Sequence, residues 1–183
     1  MEAILNSFIL VAATEMGDKT QLLALVLASR FNARWAIMGG ILVATIANHL
    51  LAASIGSGLA SFVPPQILKW VIGLSSVLFA LWVLKPDKED ELRAQSGWGP
   101  FLTTVIAFFL AEMGDKTQVS TMALAARYQN VALVTFGTTL GMMFSDGLAV
   151  FFGQKVTQII PMKNLHRVAA ALFVIFGVYT ILA

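Results

Sequence analysis

The residues best suited to chemistry lie in one seven-residue motif that the chain contains twice. Glu15-Met16-Gly17-Asp18-Lys19-Thr20-Gln21 reappears letter for letter 97 positions later, at 112–118. Its carboxylate and amide oxygens suit hard divalent cations such as Mn²⁺, Ca²⁺ or Mg²⁺, and the chain has no cysteine and only two histidines to bind softer metals. We therefore predict a divalent-cation site. Its expected ligands are Glu15, Asp18, Gln21, Glu112, Asp115 and Gln118.

The composition of the 183-residue chain indicates a membrane protein, since 58% of the residues are hydrophobic and only 12% are charged. Apolar runs separated by polar breaks predict six spans. Each crossing takes about 20 residues, so no room remains for a soluble domain. The predicted fold class is an all-α membrane protein with six transmembrane helices. Their approximate bounds are 3–28, 35–60, 66–84, 100–126, 131–154 and 166–183.

The duplication extends over both halves of the chain, since the same offset of 97 also pairs Gly40 with Gly137. Each half holds three predicted spans, which is an odd number, so the second copy enters the membrane from the opposite side. We therefore predict two inverted three-helix repeats, an arrangement typical of secondary transporters. The repeats are residues 1–85 and 100–183, and a charged linker at 86–99 joins them.

The basic residues outside the motifs are distributed unequally between the two sides of the predicted membrane. One side carries eight of them: Arg30, Arg34, Lys85, Lys88, Arg93, Lys155, Lys163 and Arg167. The other side carries Lys69 and Arg127. By the positive-inside rule, the central linker is expected to face the cytoplasm and both termini are expected to lie outside.

Both copies of the motif fall near the middle of a predicted span, where each charge costs about 2.5 to 3.5 kcal/mol. The charges are therefore expected to face the interior of the helix bundle, where partners or a bound ion offset this cost. On a continuous helix, Glu15 and Asp18 lie about 60° apart on one face. The inverted copy is expected to bring Glu112 and Asp115 opposite them.

The charges of the motifs also suggest what is exchanged. Four carboxylates and two lysines sum to −2, which one divalent cation or two protons would neutralise. We therefore hypothesise that one divalent cation exchanges for about two protons at the same carboxylates. An alternative is that Glu15 with Lys19, and the equivalent pair in the second copy, form i,i+4 salt bridges that only fasten the bundle. Buried ion pairs are poor stabilisers, which favours the functional interpretation.

A second group of residues is expected to support the ligands. Gly17 allows either a close helix approach or a local break that exposes backbone carbonyls, and the lysines either replace the cation or only tune the acids. Asp146 occupies the position equivalent to His49, so it would make the two half-sites unequal, as a proton relay. The supporting set is Gly17, Lys19, Thr20, Gly114, Lys116, Thr117 and Asp146.

The doubled E-φ-G-D-[KR]-[ST] motif, in a small chain with six predicted spans, resembles a family of cation/proton exchangers. That family includes bacterial manganese exporters of the MneA type and their Golgi and thylakoid relatives. The resemblance implies Mn²⁺ efflux, with Ca²⁺ as another substrate in eukaryotic relatives, and it rests on residues 15–20 and 112–117. The chain lacks the N-terminal targeting extension of organellar members, so a bacterial inner membrane is the expected location.

Other functions make different demands on the sequence. An intramembrane aspartyl protease would be expected to contain Tyr-Asp and Gly-x-Gly-Asp motifs, and neither occurs, so we do not expect an enzyme. No cofactor is expected, because the metal would be the transported substrate, and the absence of a basic run argues against nucleic acid. A Ca²⁺/H⁺ antiporter, a cation-selective channel and a structural subunit stay open. The expected partners are a divalent cation, protons and the lipid bilayer, and the oligomeric state, including a homo-oligomer, stays open.

Overall fold

The computed structural model describes residues 1–84, 98–153 and 162–182, and these residues form eight helices and no strand. The described residues do not include most of the predicted linker at 86–99 or the predicted span ends at 154 and 183. Four of the basic residues counted above also lie outside them: Lys85, Lys88, Arg93 and Lys155. The helices are α1 Glu2–Glu15, α2 Lys19–Phe31, α3 Arg34–Ala60, α4 Pro65–Val83, α5 Pro100–Glu112, α6 Lys116–Tyr128, α7 Val131–Phe152 and α8 Met162–Leu182.

Four of the six predicted spans correspond to single helices, namely α3, α4, α7 and α8. Among the described residues, α3 and α7 are long and apolar enough to cross a membrane by length and composition, while α4, α5 and α8 contain shorter apolar stretches. The prediction of continuous helices over 3–28 and 100–126 is wrong. Each of these segments consists of two helices, α1 with α2 and α5 with α6, separated by a break of three residues.

The backbone of the motif explains the two breaks. Gly17 and Gly114 have φ of +86° and +77°, a left-handed region that glycine enters without the steric cost of a Cβ atom. Met16 is already extended, and Asp18 is the N-cap residue of α2, with its Oδ1 atom accepting a hydrogen bond from the N–H of the next residue, Lys19, at 2.9 Å. Glu15 and Asp18 therefore do not share one helical face, and the 60° separation expected for a continuous helix does not apply.

The broken helices of each half pack on the long helix of the other half. Helices α1 and α2 contact α7, and their counterparts α5 and α6 contact α3. Gly40 on α3 lies so close to α5 that an added Cβ would be 2.8 Å from the Phe101 carbonyl oxygen. Gly137 on α7 is as close to the carbonyl oxygen of Ile4, which precedes Phe101 by the repeat offset, at 2.6 Å. The two halves thus exchange equivalent contacts, and α4 packs against α8.

Candidate metal centre

The four motif carboxylates lie where the broken helices meet in the interior of the bundle. Glu15 and Glu112 are the last residues of α1 and α5, and Asp18 and Asp115 occupy the N-cap positions of α2 and α6. All four side chains are buried, and both glutamates have no exposed surface at all. The helix ends therefore bring acidic groups from the two halves of the chain into one place.

Three of the carboxylates are close enough to share a cation. Glu15, Glu112 and Asp115 each offer one oxygen atom, and these three oxygens lie within 4.8 Å of one another. Oxygens that share one cation at 2.0 to 2.6 Å are at most about 5 Å apart, so this spacing fits a divalent ion. Asp18 is not one of the three, although it interacts electrostatically with Glu112.

The two motif glutamates, Glu15 and Glu112, differ in the hydrogen bonds that they accept. Oε2 of Glu15 accepts a bond from the Thr20 hydroxyl at 2.6 Å, and Oε1 accepts one from the Thr117 hydroxyl, which belongs to the other half of the chain. In contrast, neither carboxylate oxygen of Glu112 has a hydrogen-bond partner among the described residues, and Oδ2 of Asp115 has none either. These buried acceptor atoms remain open to a cation or a proton.

The motif lysines form ion pairs that cross between the halves. Nζ of Lys19 lies 3.2 Å from Oδ1 of Asp115, and Nζ of Lys116 lies 4.0 Å from Oδ1 of Asp18. The alternative of i,i+4 salt bridges along one helix requires Glu15 and Lys19 on the same helix. Because α1 ends at Glu15 and α2 begins at Lys19, that helical geometry does not form.

The two glutamines stabilise the helix breaks. Oε1 of Gln21 accepts a hydrogen bond from the Gly17 N–H at 2.9 Å, and Oε1 of Gln118 accepts one from the Gly114 N–H at 2.7 Å. A carbonyl oxygen has a second lone pair, so this contact leaves room for metal ligation. Ligation by Gln21 and Gln118 stays a prediction.

Asp146 on α7 adds a fifth buried acid near this group. Its side chain has no exposed surface, and neither of its carboxylate oxygens has a hydrogen-bond partner in the described part of the chain. It interacts electrostatically with Glu15, Asp18 and Glu112. Its counterpart His49 on α3 is also fully buried. The two halves therefore differ at this position, because one has an acidic side chain where the other has an imidazole. A proton-relay role for Asp146 stays a prediction.

Two residues outside the predicted site set make hydrogen bonds between the halves of the chain. Asn48 on α3 donates a hydrogen bond through Nδ2 to the carbonyl oxygen of Phe109, in the last turn of α5, at 3.0 Å. Nε2 of Gln21 donates to the carbonyl oxygen of Ser145 on α7 at 3.0 Å and to its hydroxyl oxygen at 3.3 Å. Asn48 and Ser145 are 97 positions apart, so each long helix binds the broken helix of the other half at an equivalent position. Their signal in the sequence was a polar residue at the same repeat position in two apolar spans.

Comparisons with known proteins agree with this chemistry. The family model described as "Divalent cation/proton antiporter GDT1" matches residues 3–91 and 100–183. A Vibrio cholerae protein named "Putative manganese exporter" is 42% identical over 181 residues, which cover 98% of this chain and 90% of that protein. A GDT1-like protein of Synechocystis is 28% identical, with 97% of this chain and 96% of that protein covered. A GDT1-like protein of Arabidopsis thaliana is also 28% identical, over 97% of this chain and 69% of its own length. No solved structure matches the chain significantly.

Proposed function

Because the chain belongs to the GDT1 family of divalent cation/proton antiporters, we propose that it exports Mn²⁺ across a bacterial inner membrane in exchange for protons. The observation that carries this proposal is the buried group of Glu15, Glu112 and Asp115, whose oxygens lie within 4.8 Å of one another. Two halves of the chain contribute to this group, so a movement of one half relative to the other would change access to the ion.

The identity of the ion follows from the donors and from the relatives. Carboxylate oxygens suit Mn²⁺, Ca²⁺ and Mg²⁺, and these donors alone do not select among the three. The name of the Vibrio cholerae relative refers to manganese, and that protein covers nearly the whole of this chain. Mn²⁺ is therefore the proposed substrate, and Ca²⁺ is the alternative. In either case the metal is cargo rather than a cofactor.

Protons are proposed to compete with the metal for the same carboxylates. The buried oxygens of Glu112 and Asp146 accept no hydrogen bond from the described residues, and each oxygen that stays ionised in such a place carries a high desolvation cost. A proton or a cation removes that cost. Release of the metal is therefore expected to be accompanied by proton uptake at the same group, which couples the two flows.

Six spans in two inverted repeats provide the proposed framework. The exchange of equivalent contacts between the halves, with α1 on α7 and α5 on α3, supports the internal symmetry. On this view α1 with α2, and α5 with α6, each form one interrupted span, and backbone irregularity at mid-membrane is typical where it lines an ion site. The unequal number of basic residues on the two sides supports a cytoplasmic linker and external termini.

The packing of α4 and α8 favours a carrier over a channel. Helix α4 contacts α6, and α8 contacts α1. The repeat relates these pairs to α8 with α2 and to α4 with α5. Neither of the related pairs packs closely among the described helices. At the proposed external end, Nδ2 of Asn6 donates to the Tyr128 hydroxyl at 2.6 Å. Closure at one end, with the symmetry broken, supports alternating access.

Flux measurements in proteoliposomes test this function. Purified protein is reconstituted in vesicles with an acidic interior, and Mn²⁺ entry is followed together with internal pH. An exchanger predicts that the gradient accelerates Mn²⁺ entry and that entry makes the interior more alkaline. The Glu112→Gln variant, which keeps the shape of the side chain, serves as the inactive control. Mn²⁺ entry that ignores the pH gradient would refute proton exchange, and single-channel currents would indicate a pore.

A further inference from the structure

The two cross-repeat ion pairs differ in how much of their side-chain surface is accessible. Lys19 retains 22% of its side-chain surface exposed, although its partner Asp115 is 5% exposed. Lys116 is 5% exposed and its partner Asp18 is 4% exposed. The Lys19 ammonium also lies closer to its partner, at 3.2 Å against 4.0 Å. Lys19 is thus the motif lysine that pairs with the acidic group and also keeps part of its side-chain surface accessible.

Asp115 belongs both to the ion pair with Lys19 and to the group of three carboxylates. Its Oδ1 atom pairs with Lys19, and it is also one of the three residues whose carboxylate oxygens lie within 4.8 Å of one another. A divalent cation among these oxygens would place two more positive charges near the Lys19 ammonium. Like charges in a buried, weakly screened place repel strongly. Because Lys19 is partly exposed, its ammonium can move away from the acidic group, which would relieve this repulsion.

We propose that Lys19 is a tethered counter-cation for Asp115, which the transported ion displaces toward water, and that Lys19 thereby selects for divalent cations. This inference rests on the proposed function, because it takes a transported cation as given. A monovalent ion that displaces Lys19 exchanges one positive charge for another and gains little. A divalent ion adds a net charge to the acidic group. Lys116, which lies in the more buried pair, remains beside Asp18 as a fixed charge.

The charge of the acidic group supports this division of roles. Glu15, Asp18, Glu112, Asp115 and Asp146 carry five negative charges when they are all ionised. A lysine that always stays beside the acids would offset part of this negative charge in the absence of a transported cation. A lysine that leaves only for a stronger cation would prevent sodium or potassium from occupying the site. Lys19 is therefore a specificity-determining residue, and the ligands remain the carboxylates.

Amine labelling of the unmodified protein tests the displacement. The purified protein is treated briefly with an amine-reactive reagent, with and without saturating Mn²⁺, and labelled lysines are quantified by mass spectrometry. Labelling of Lys19 is expected to rise about threefold or more when Mn²⁺ binds, because the ammonium moves into water. Lys116 is expected to stay protected, and Lys69, which lies far along the chain on α4, provides the reference for reagent activity. Unchanged or reduced labelling of Lys19 would overturn the proposal.

Substitutions test the selectivity independently. In proteoliposomes, Lys19→Met is expected to lower the KM for Mn²⁺ about threefold or more and to make transport sensitive to inhibition by Na⁺, whereas Lys19→Arg keeps the charge and stays near the parent in both respects. A KM for Lys19→Met that equals or exceeds the parent value, with no Na⁺ inhibition, contradicts the proposal. If the parent protein neither binds nor transports Mn²⁺, the proposed function fails and this inference fails with it. If the parent transports Mn²⁺ while Lys19 shows neither effect, only this inference fails.

Discussion

Thr117 donates a hydrogen bond to Oε1 of Glu15, although the two residues belong to opposite halves of the chain. The same carboxylate also accepts a bond from Thr20 of its own half, so each of the two motif copies contributes a hydroxyl group to one acid. Glu15 is therefore positioned by both halves, while Glu112 accepts no such bond from the described residues. The candidate metal centre is thus asymmetric although its two motif sequences are identical.

Removal of the Thr117 hydroxyl is expected to destabilise the protein. Thr117→Val preserves the shape of the side chain but deletes a hydrogen bond to a carboxylate, which corresponds to about 1.5 to 3 kcal/mol. Thermal unfolding in detergent would measure the loss. Thr180→Val is the matched control, because Thr180 is equally buried and its hydroxyl has no partner among the described residues. Equal unfolding temperatures for the two variants would contradict this role of Thr117.

The left-handed glycine of the second motif is expected to be intolerant of a side chain. Gly114 has φ of +77°, and an added Cβ would meet no atom within 4 Å, so Gly114→Ala tests backbone strain alone. We expect a loss of about 1 to 2 kcal/mol of stability, measured by unfolding, together with reduced transport.

Gly58→Ala provides the control for that experiment. Gly58 lies within α3, and a Cβ there also meets no atom within 4 Å. Because alanine favours a helix more than glycine, Gly58→Ala is expected to be neutral or slightly stabilising, by less than about 1 kcal/mol. A Gly114→Ala variant as stable as Gly58→Ala would show that the helix break does not depend on the left-handed conformation.

The hydrogen bond between Asn6 and Tyr128 is expected to keep the proposed external end of the bundle closed. Tyr128→Phe deletes the hydroxyl that accepts this bond at 2.6 Å. The chain has no cysteine, so Ser7→Cys introduces a single thiol at a fully buried position of α1. We expect an impermeant thiol reagent, applied from outside, to label it faster in the Tyr128→Phe background.

The matched change for this accessibility experiment is Tyr179→Phe. The Tyr179 ring, over which Arg127 lies at 5.7 Å, is retained in this variant, and only the hydroxyl is lost. It is therefore expected to label at the parent rate. Identical labelling rates for Tyr128→Phe and the parent would contradict a closing role for the Asn6 contact.

The sequence predicted the meeting of the two motifs because an exact repeat constrains tertiary structure unusually strongly. Glu15, Asp18, Glu112 and Asp115 were expected to converge because of their repeat positions and the cost of burying charge in a membrane. The structure brings carboxylate oxygens of three of them, Glu15, Glu112 and Asp115, within 4.8 Å of one another. The breaks after Glu15 and Glu112 could not be decided in the same way. Glycine is compatible with close helix packing as well as with a left-handed turn, and hydropathy does not distinguish the two.

The partners of the motif lysines and glutamines also could not be predicted from the sequence. Lys19 pairs with Asp115 rather than along its own helix, which depends on how far the two halves are rotated against each other. Gln21 bonds to the Gly17 N–H, which is available because the helix ends just before it. Such contacts follow from tertiary geometry that residue types and spacing do not encode locally.

Glu112→Gln is expected to abolish transport without unfolding the protein. Its carboxylate accepts no hydrogen bond from the described part of the chain, so an amide of the same shape removes little packing but deletes one of three clustered charges. We expect Mn²⁺ flux to fall about a hundredfold or more, with an unfolding temperature close to that of the parent. Glu2→Gln, which changes an exposed acid at the start of α1, should transport normally. Residual flux near the parent level would show that Glu112 is not a ligand.

Direct titration of purified protein with Mn²⁺ shows whether carboxylates of both halves hold one cation together. Calorimetry would measure the affinity and the stoichiometry of Mn²⁺ binding to the parent and to the Glu15→Gln, Glu112→Gln and Asp115→Asn variants. Glu15 belongs to the first half of the chain, and Glu112 and Asp115 belong to the second. A shared site predicts one Mn²⁺ per chain for the parent, and a large loss of affinity for every variant, whether the substituted acid lies in the first half or in the second. Two independent Mn²⁺ sites, each abolished only by substitutions in its own half, would contradict it.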